Sequence, residues 1–191
     1  MKKYQIIYAD PPWSYQDTQK KLGKAGFGAG VRYSLMDNKE ILKLPIKDLA
    51  DKDCALFMWG TSPLLPEALE TINAWGFKYK TIAFCWNKLY KGGGLVCNMG
   101  RWTMSNVELC FLATKGSPKR VCKNVRQQVS ALRTGHSKKP DIVRSRIVEL
   151  MGDLPRIELF ARSNKMENLF GEKELDGWDT FGNEAKDSIK L

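Results

Sequence analysis

The stretch Ile6-Ile7-Tyr8-Ala9-Asp10-Pro11-Pro12-Trp13 decides how this chain reads. Its first half is a short apolar run of the kind that forms a strand buried on both faces. Its second half begins where that strand ends. Ligands in open α/β sheets bind outside the carboxyl ends of the strands, so Asp10 stands where a site is expected. Each residue ahead of a proline is pushed towards extended geometry, which restrains Asp10 and Pro11, and the prolines bring no N–H donors. The corner offers a carboxylate, the Pro11 carbonyl and the indole of Trp13. That set suits a planar heteroaromatic amine on an unpaired or flipped-out base. An exocyclic adenine amine is a weak nucleophile because its lone pair is delocalised into the ring. Two fixed acceptors would draw its hydrogens out of plane, and the carboxylate would stabilise charge developing on nitrogen. The plainer alternative is a strand end, a Pro-Pro turn and a tryptophan packed on the core.

Composition narrows the class. At 191 residues and 43% hydrophobic, the chain can bury one substantial core and reads as a single domain over 1–191. It has no apolar run near ~18 residues and no cleavable-signal pattern, so a soluble cytoplasmic protein without membrane contact is expected. The five cysteines form no CxxC pair and are odd in number, which points to free thiols in a reducing compartment. With His136 the single histidine, neither a metal site nor Cys–His nucleophilic catalysis is expected.

The charge is uneven. The formal net charge is +10, and residues 109–140 carry eight basic side chains and no acidic one. A second basic stretch, 14–35, holds Lys20, Lys21, Lys24 and Arg32 against Asp17, whereas the tail from Asn164 is mildly acidic. A basic run is often just a solvated face, but one window supplying most of the net charge argues for a polyanion partner. Lys119, Arg120, Lys123 and Arg126 are the candidate phosphate contacts.

Strands and helices alternate along the chain. The glycine-rich loop 23–30 invites a phosphate-cradle reading, but no helix pattern opens where one is required, so it reads as a mobile loop beside the target base, with Tyr33 as its gate. Asp37 and Glu40 have capping-box spacing, which starts a helix at Asn38. A buried strand follows at 55–59. Ser62 as N-cap and Pro63 open a second helix with Leu65, Leu69, Ile72 and Trp75 on one face, ended by Gly76. Strands at 79–86 and 107–113 flank a long loop through Gly92-Gly93-Gly94. Residues 119–130 read either as a strand pair or as a segment that orders on binding. Pro140 opens a helix with Ile142, Val143, Ile147, Leu150 and Met151 on one face, and a strand follows at 156–161. The alternation predicts an α/β, Rossmann-like, doubly wound and mostly parallel sheet.

Asp10-Pro11-Pro12-Trp13 resembles the catalytic signature of the MT-A70 family of adenine-N6 methyltransferases. The similarity continues through Tyr33-Ser34-Leu35-Met36, Leu56-Phe57-Met58-Trp59, Trp75-Gly76-Phe77 and Glu108-Leu109-Cys110-Phe111. It goes on through His136-Ser137-Lys138-Lys139-Pro140-Asp141 and Ile157-Glu158-Leu159-Phe160-Ala161-Arg162 to Trp178-Asp179 and Gly182-Asn183-Glu184. The resemblance implies a class I methyltransferase of permuted order, with the catalytic corner ahead of the cofactor strand at 157–161. It implies S-adenosyl-L-methionine as cofactor and Asp10, Pro11, Pro12 and Trp13 as the catalytic set, with Asp10 also near the donor. Lys139 would face the methionine carboxylate, Arg162 and Asn164 the ribose, and Asn183 and Glu184 the ribose and adenine. Glu184 stands where some relatives carry an amide. The loop with Arg101 and Trp102 lies where the family places substrate or partner contacts. Trp13, Tyr33 and the four basic residues would hold the polymer. Similarity to prokaryotic and phage members points to DNA. RNA, or a catalytically silent nucleic-acid-binding subunit, is the alternative, and a homo- or heterodimer is compatible with either.

Overall fold

Strand β1 (Tyr4–Ala9) is buried at nearly every position because both faces of the sheet are covered. Ile7 and Ala9 point into one apolar cluster, while Ile6 and Tyr8 point into another, the period-two alternation of a pleated strand. The computed structural model describes residues 2–14, 36–100, 102–134, 138–161, 165–168, 171–174 and 177–182. In chain order they form β1, α1 (Asn38–Lys43), α2 (Ile46–Leu49), β2 (Ala50–Gly60), α3 (Leu65–Ala74), β3 (Lys78–Leu89) and β4 (Val107–Lys115). They continue with β5 (Gln128–Leu132), α4 (Ile142–Met151), β6 (Arg156–Leu159), the hairpin β7 (Lys165–Asn168) and β8 (Gly171–Glu174), and β9 (Trp178–Phe181).

Seven strands form one sheet in the order β5-β3-β4-β2-β1-β6-β9. Its pairings are parallel except those of β4, which runs against both β2 and β3. This is the expected α/β, Rossmann-like sheet. Residues from α1, α2 and α3 join the cluster on one face, and Val143, Ile147 and Met151 of α4 join the cluster on the other. Each fully buried aliphatic side chain contributes about 1.5–3 kcal/mol of transfer free energy.

Local sequence explains most element ends. The Asp37 side chain accepts from the backbone of α1 while Glu40 reaches back to the Asp37 N–H, so the expected capping box is present. The second helix departs from its reading. Thr61, not Ser62, precedes a 3-10 turn over Ser62–Leu64, and the α-helix begins at Leu65 with no side-chain cap. Pro63 and Pro66 explain this, since neither can donate to an i−4 carbonyl. Leu65 is exposed and Ala68 takes the buried place on that face. In α4, Ile142 is likewise exposed, while Arg144 is buried against Glu158 and Asp141. Residues 119–127 form no strand pair; β5 alone pairs with β3.

The topology gathers chain ends at one edge. The carboxyl ends of β1, β2, β6 and β9 lie there together, because these strands are mutually parallel. The end of β3 joins them. The amino end of β4 lies there too, because β4 is antiparallel. Helix α4 leads back to the start of β6, so the residues just before α4 belong to the same edge.

Candidate active site

Asp10 is the residue after β1, at that edge. Its Oδ2 accepts from Lys139 Nζ at 2.7 Å, although 129 positions separate the two residues in sequence. Lys139 lies just ahead of α4 and also faces Glu108 Oε2 at 3.4 Å. Glu108, near the start of β4, accepts from Lys88 near the end of β3 at 2.5 Å. The result is a row of alternating charge: Asp10, Lys139, Glu108, Lys88. Both ammonium groups lie against indoles. Lys139 is 5.7 Å from the Trp59 ring and Lys88 is 5.3 Å from the Trp86 ring. The two rings meet edge to face at 6.3 Å, which makes a rigid aromatic wall beneath the charges.

The electrostatics follow from partial burial. Desolvation works against the Lys139 ammonium, but Asp10 and Glu108 outweigh it and hold its pKa above the usual lysine value. Burial likewise pushes Glu108 up, yet Lys139 and Lys88 bring it below its ordinary 4.5. Lys139 and Glu108 are therefore both charged at neutral pH. A carboxyl with a lowered folded pKa adds stability above its unfolded value, and that stability is lost as pH falls through the folded value. The melting temperature of wild-type protein should exceed that of Glu108→Gln at neutral pH, and the gap should shrink below pH 4.5. A gap independent of pH would show that Glu108 acts by shape and not by charge.

Trp13 differs from the open stacking face read from the sequence. It is 6% exposed, and its indole N–H donates to the Trp59 carbonyl at 3.2 Å. Trp59 in turn donates to the Tyr8 hydroxyl at 2.6 Å, so Trp13 extends the wall as part of the core. The Pro11 carbonyl accepts the Trp13 N–H at 2.8 Å and the Pro12 carbonyl accepts from Met36. These bonds close the corner onto itself; each carbonyl keeps a second lone pair in chemical principle. Asp10 and Lys139 are thus together, with Pro11, Pro12 and Trp13 beside them.

The other expected site residues divide in two. Tyr33, Arg162, Asn164, Asn183 and Glu184 lie outside the described residues, as do the loop 23–30, Arg101 and His136. Lys119, Arg120, Lys123 and Arg126 are described and exposed; the Arg126 carbonyl accepts from Arg146, midway along α4, and the stretch around the other three lies farther along that helix. Val121 and Cys122 donate to the Leu150 carbonyl near the end of α4, whereas Lys139 precedes its start. A ten-residue helix spans ~15 Å. Glu108, Lys88 and Trp59 were not assigned from sequence. The available signal was a carboxylate opening the otherwise apolar strand Val107-Glu108-Leu109-Cys110-Phe111, which demands a partner.

The five cysteines are free thiols, and burial pushes Cys54 up to about 12 and Cys110 well above its usual value. Neither thiol is poised for nucleophilic work. Among the described residues no cluster of metal-ligating side chains occurs, and no helix is long and apolar enough to cross a membrane.

Comparison with known proteins matches the MT-A70 family model to residues 4–184. The chain is 36% identical over 202 residues to the Type II methyltransferase M.MunI of a Mycoplasma species, covering 98% of this chain and 80% of that protein. It is 27% identical over 192 residues to the N(6)-adenosine-methyltransferase catalytic subunit METTL3 of Homo sapiens, covering 99% of this chain but 29% of that protein. The N(6)-adenosine-methyltransferase MT-A70-like protein of Arabidopsis thaliana is 26% identical over 182 residues, with 23% of its length covered.

Proposed function

The chain belongs to the MT-A70 family and is a methyltransferase, and on that premise we propose that it methylates the N6 amine of adenine in DNA with S-adenosylmethionine as donor. The observation that carries this reading is the Asp10–Lys139 contact at the carboxyl edge of β1. It joins the acidic group that would hold the amine to the cation that would hold the donor. DNA is favoured over RNA because similarity to the Type II methyltransferase exceeds that to METTL3 in identity and in the share of the relative covered.

The donor chemistry can be tested against the described residues. Phe160, directly after β6, adopts φ 60°, a left-handed turn that a bulky residue takes only under constraint. Ala161 N–H donates to the Phe181 carbonyl, and a Cβ on Gly182 would stand 2.3 Å from the Ala161 oxygen. Here the strands leading into 162–164 and 183–184 end in backbone contact, beside Asp10. A nucleoside approached by both segments fits this arrangement. So does a donor bearing a carboxylate and a sulfonium, given Lys139 and the carboxylates around it. The cofactor, when bound, supplies an activated methyl group. Asp10 is then the acceptor that orients the amine, draws a hydrogen out of the ring plane and stabilises positive charge as the nitrogen attacks. Proton loss follows methylation, when the amine has become acidic, so Asp10 need not deprotonate it beforehand. The indole wall of Trp13, Trp59 and Trp86 excludes water from one side.

The direct test incubates the protein with methyl-labelled donor and unmethylated DNA or RNA, then digests the polymer and identifies the labelled nucleoside. N6-methyldeoxyadenosine is the expected product. Label in another base, or in neither polymer, would refute the assignment.

The placement of charge revises which cations should hold the backbone. Lys91 and Arg133 are exposed, and the Arg133 N–H donates to the Leu89 carbonyl at the end of β3, on the active-site edge. Each phosphate contact contributes ~0.9 to the slope of log affinity against log salt on duplex DNA. Replacing Lys91 and Arg133 together by glutamine should lower that slope by about 1.8. Replacing Lys119, Arg120, Lys123 and Arg126 should lower it by less per residue. A larger per-residue change from the second set would place the duplex across the far edge.

A further inference from the structure

The Trp59 indole is a common seat for the site, and a side chain, not the backbone, holds it in place. Its ring carries the Lys139 ammonium, and the Trp59 carbonyl accepts the Trp13 indole N–H. One step past Ala9 and Met58, the last paired residues of β1 and β2, stand Asp10 and Trp59, so the seat also adjoins the acidic group. Trp13, Trp75 and Trp86 donate their indole N–H groups to the carbonyls of Trp59, Ile41 and Ala131, acceptors fixed by the course of the chain. Trp59 donates instead to the Tyr8 hydroxyl, at 2.6 Å. Both side chains are buried, where an N–H left without an acceptor costs its full desolvation. The torsion that turns an indole on its Cβ is broad, so the acceptor decides where the ring stops.

We propose that Tyr8 is a positioning residue for methyl transfer: its hydroxyl fixes the Trp59 indole, and through that ring places the Lys139 ammonium between Asp10 and Glu108. The proposal rests on the reading of this edge as the place where donor and adenine amine meet, and it adds a buried residue beneath them. Tyr8 is itself held. Its ring lies 5.7 Å from the Arg144 guanidinium and meets Trp178 edge to face at 6.0 Å. Arg144 in turn is tied to Glu158 of β6 and to Asp141 at the start of α4. One guanidinium is therefore the reference for two supports of Lys139. Through Asp141 it fixes the helix start beside that lysine, and against Tyr8 it fixes the ring below. Burial raises the Tyr8 pKa well above the usual tyrosine value, so the hydroxyl keeps its proton and works by place alone. A phenylalanine at position 8 would keep the ring but leave the Trp59 N–H unpaired. The indole must then turn towards another acceptor, and the ammonium resting on it loses its seat.

The test compares wild type, Tyr8→Phe, Trp59→Phe and the double variant. Calorimetry with S-adenosylmethionine in the absence of DNA gives donor affinity and the fraction of competent sites. Single-turnover methylation of unmethylated DNA gives the rate per bound donor. Tyr8→Phe should lower that rate about five- to tenfold and weaken donor affinity by less, with full calorimetric stoichiometry and unchanged affinity for DNA. Once Trp59 is phenylalanine there is no indole N–H to hold, so adding Tyr8→Phe should change rate and affinity by less than about twofold. A purely structural role predicts a lower stoichiometry with donor affinity and rate per bound donor unchanged, and that result overturns the proposal. Equal losses from Tyr8→Phe with and without the indole overturn it too, as does a Tyr8→Phe protein too unstable to assay. Wild-type protein that binds the donor but forms no N6-methyladenine refutes the underlying reading, while the affinity cycle still decides whether Tyr8 acts through Trp59. Wild-type protein that does neither refutes both.

Discussion

Asp10→Ala is expected to lower the single-turnover rate of methyl transfer by about 10²–10³, the effect of removing a group aimed at developing charge. Donor binding should respond too. Asp10 shares the Lys139 ammonium with Glu108, and Glu108 already holds Lys88. Without Asp10, two ammonium groups compete for one carboxylate. Donor affinity measured by calorimetry should therefore move as well, by less than the rate. Asp10→Asn should lose nearly as much rate as the alanine variant, since an amide carries no charge. Rates near wild type at saturating donor and DNA, in either variant, would remove Asp10 from the reaction.

Much of the site was legible because local rules and topology agreed. The apolar run into Asp10 gave both strand and edge, and the proline ahead of α4 placed Lys139 at a helix start. What stayed hidden depended on strand direction. The apolar run from Val107 reads as a strand in either orientation, and only its antiparallel setting puts Glu108 with Asp10 and Lys115 at the opposite edge. The basic window divides along the same line: Arg133 and Lys139 stand at the active-site edge, whereas the stretch around Lys119, Arg120 and Lys123 runs beside the end of α4. Charge density along a sequence says that a polyanion is attracted, not on which edge the side chains emerge. Trp13 shows a third limit: nothing in the tetrapeptide distinguishes an open ring from one bonded to the Trp59 carbonyl.

Helix α4 hid the largest stability effect. Its helical period marked Ile142 for burial, but Arg144 is the buried residue. Its Nε and one terminal nitrogen meet both Glu158 oxygens at 2.7 Å, and its other terminal nitrogen meets Asp141 at 2.5 Å. The guanidinium also lies 5.7 Å from the Tyr8 ring. Burial works against the arginine's charge, yet Glu158 holds its pKa above the usual value. Burial raises the Glu158 carboxyl even against Arg144, so pairing does not fully offset desolvation on the acid side. The bidentate geometry still makes this a charged pair at neutral pH. Arg144→Met should cost about 3–5 kcal/mol by denaturant unfolding, because it strands a buried carboxylate. The double variant Arg144→Met/Glu158→Met should recover most of that loss, since well-packed apolar replacements of buried pairs are often neutral or stabilising. Its donor affinity should nevertheless stay below wild type, because Asp141, two residues from Lys139, has lost the contact that ties the start of α4 to β6. Full recovery of both stability and donor binding would make the pair dispensable. A double variant no more stable than the single one would show that the pair itself, and not the stranded charge, carries the energy.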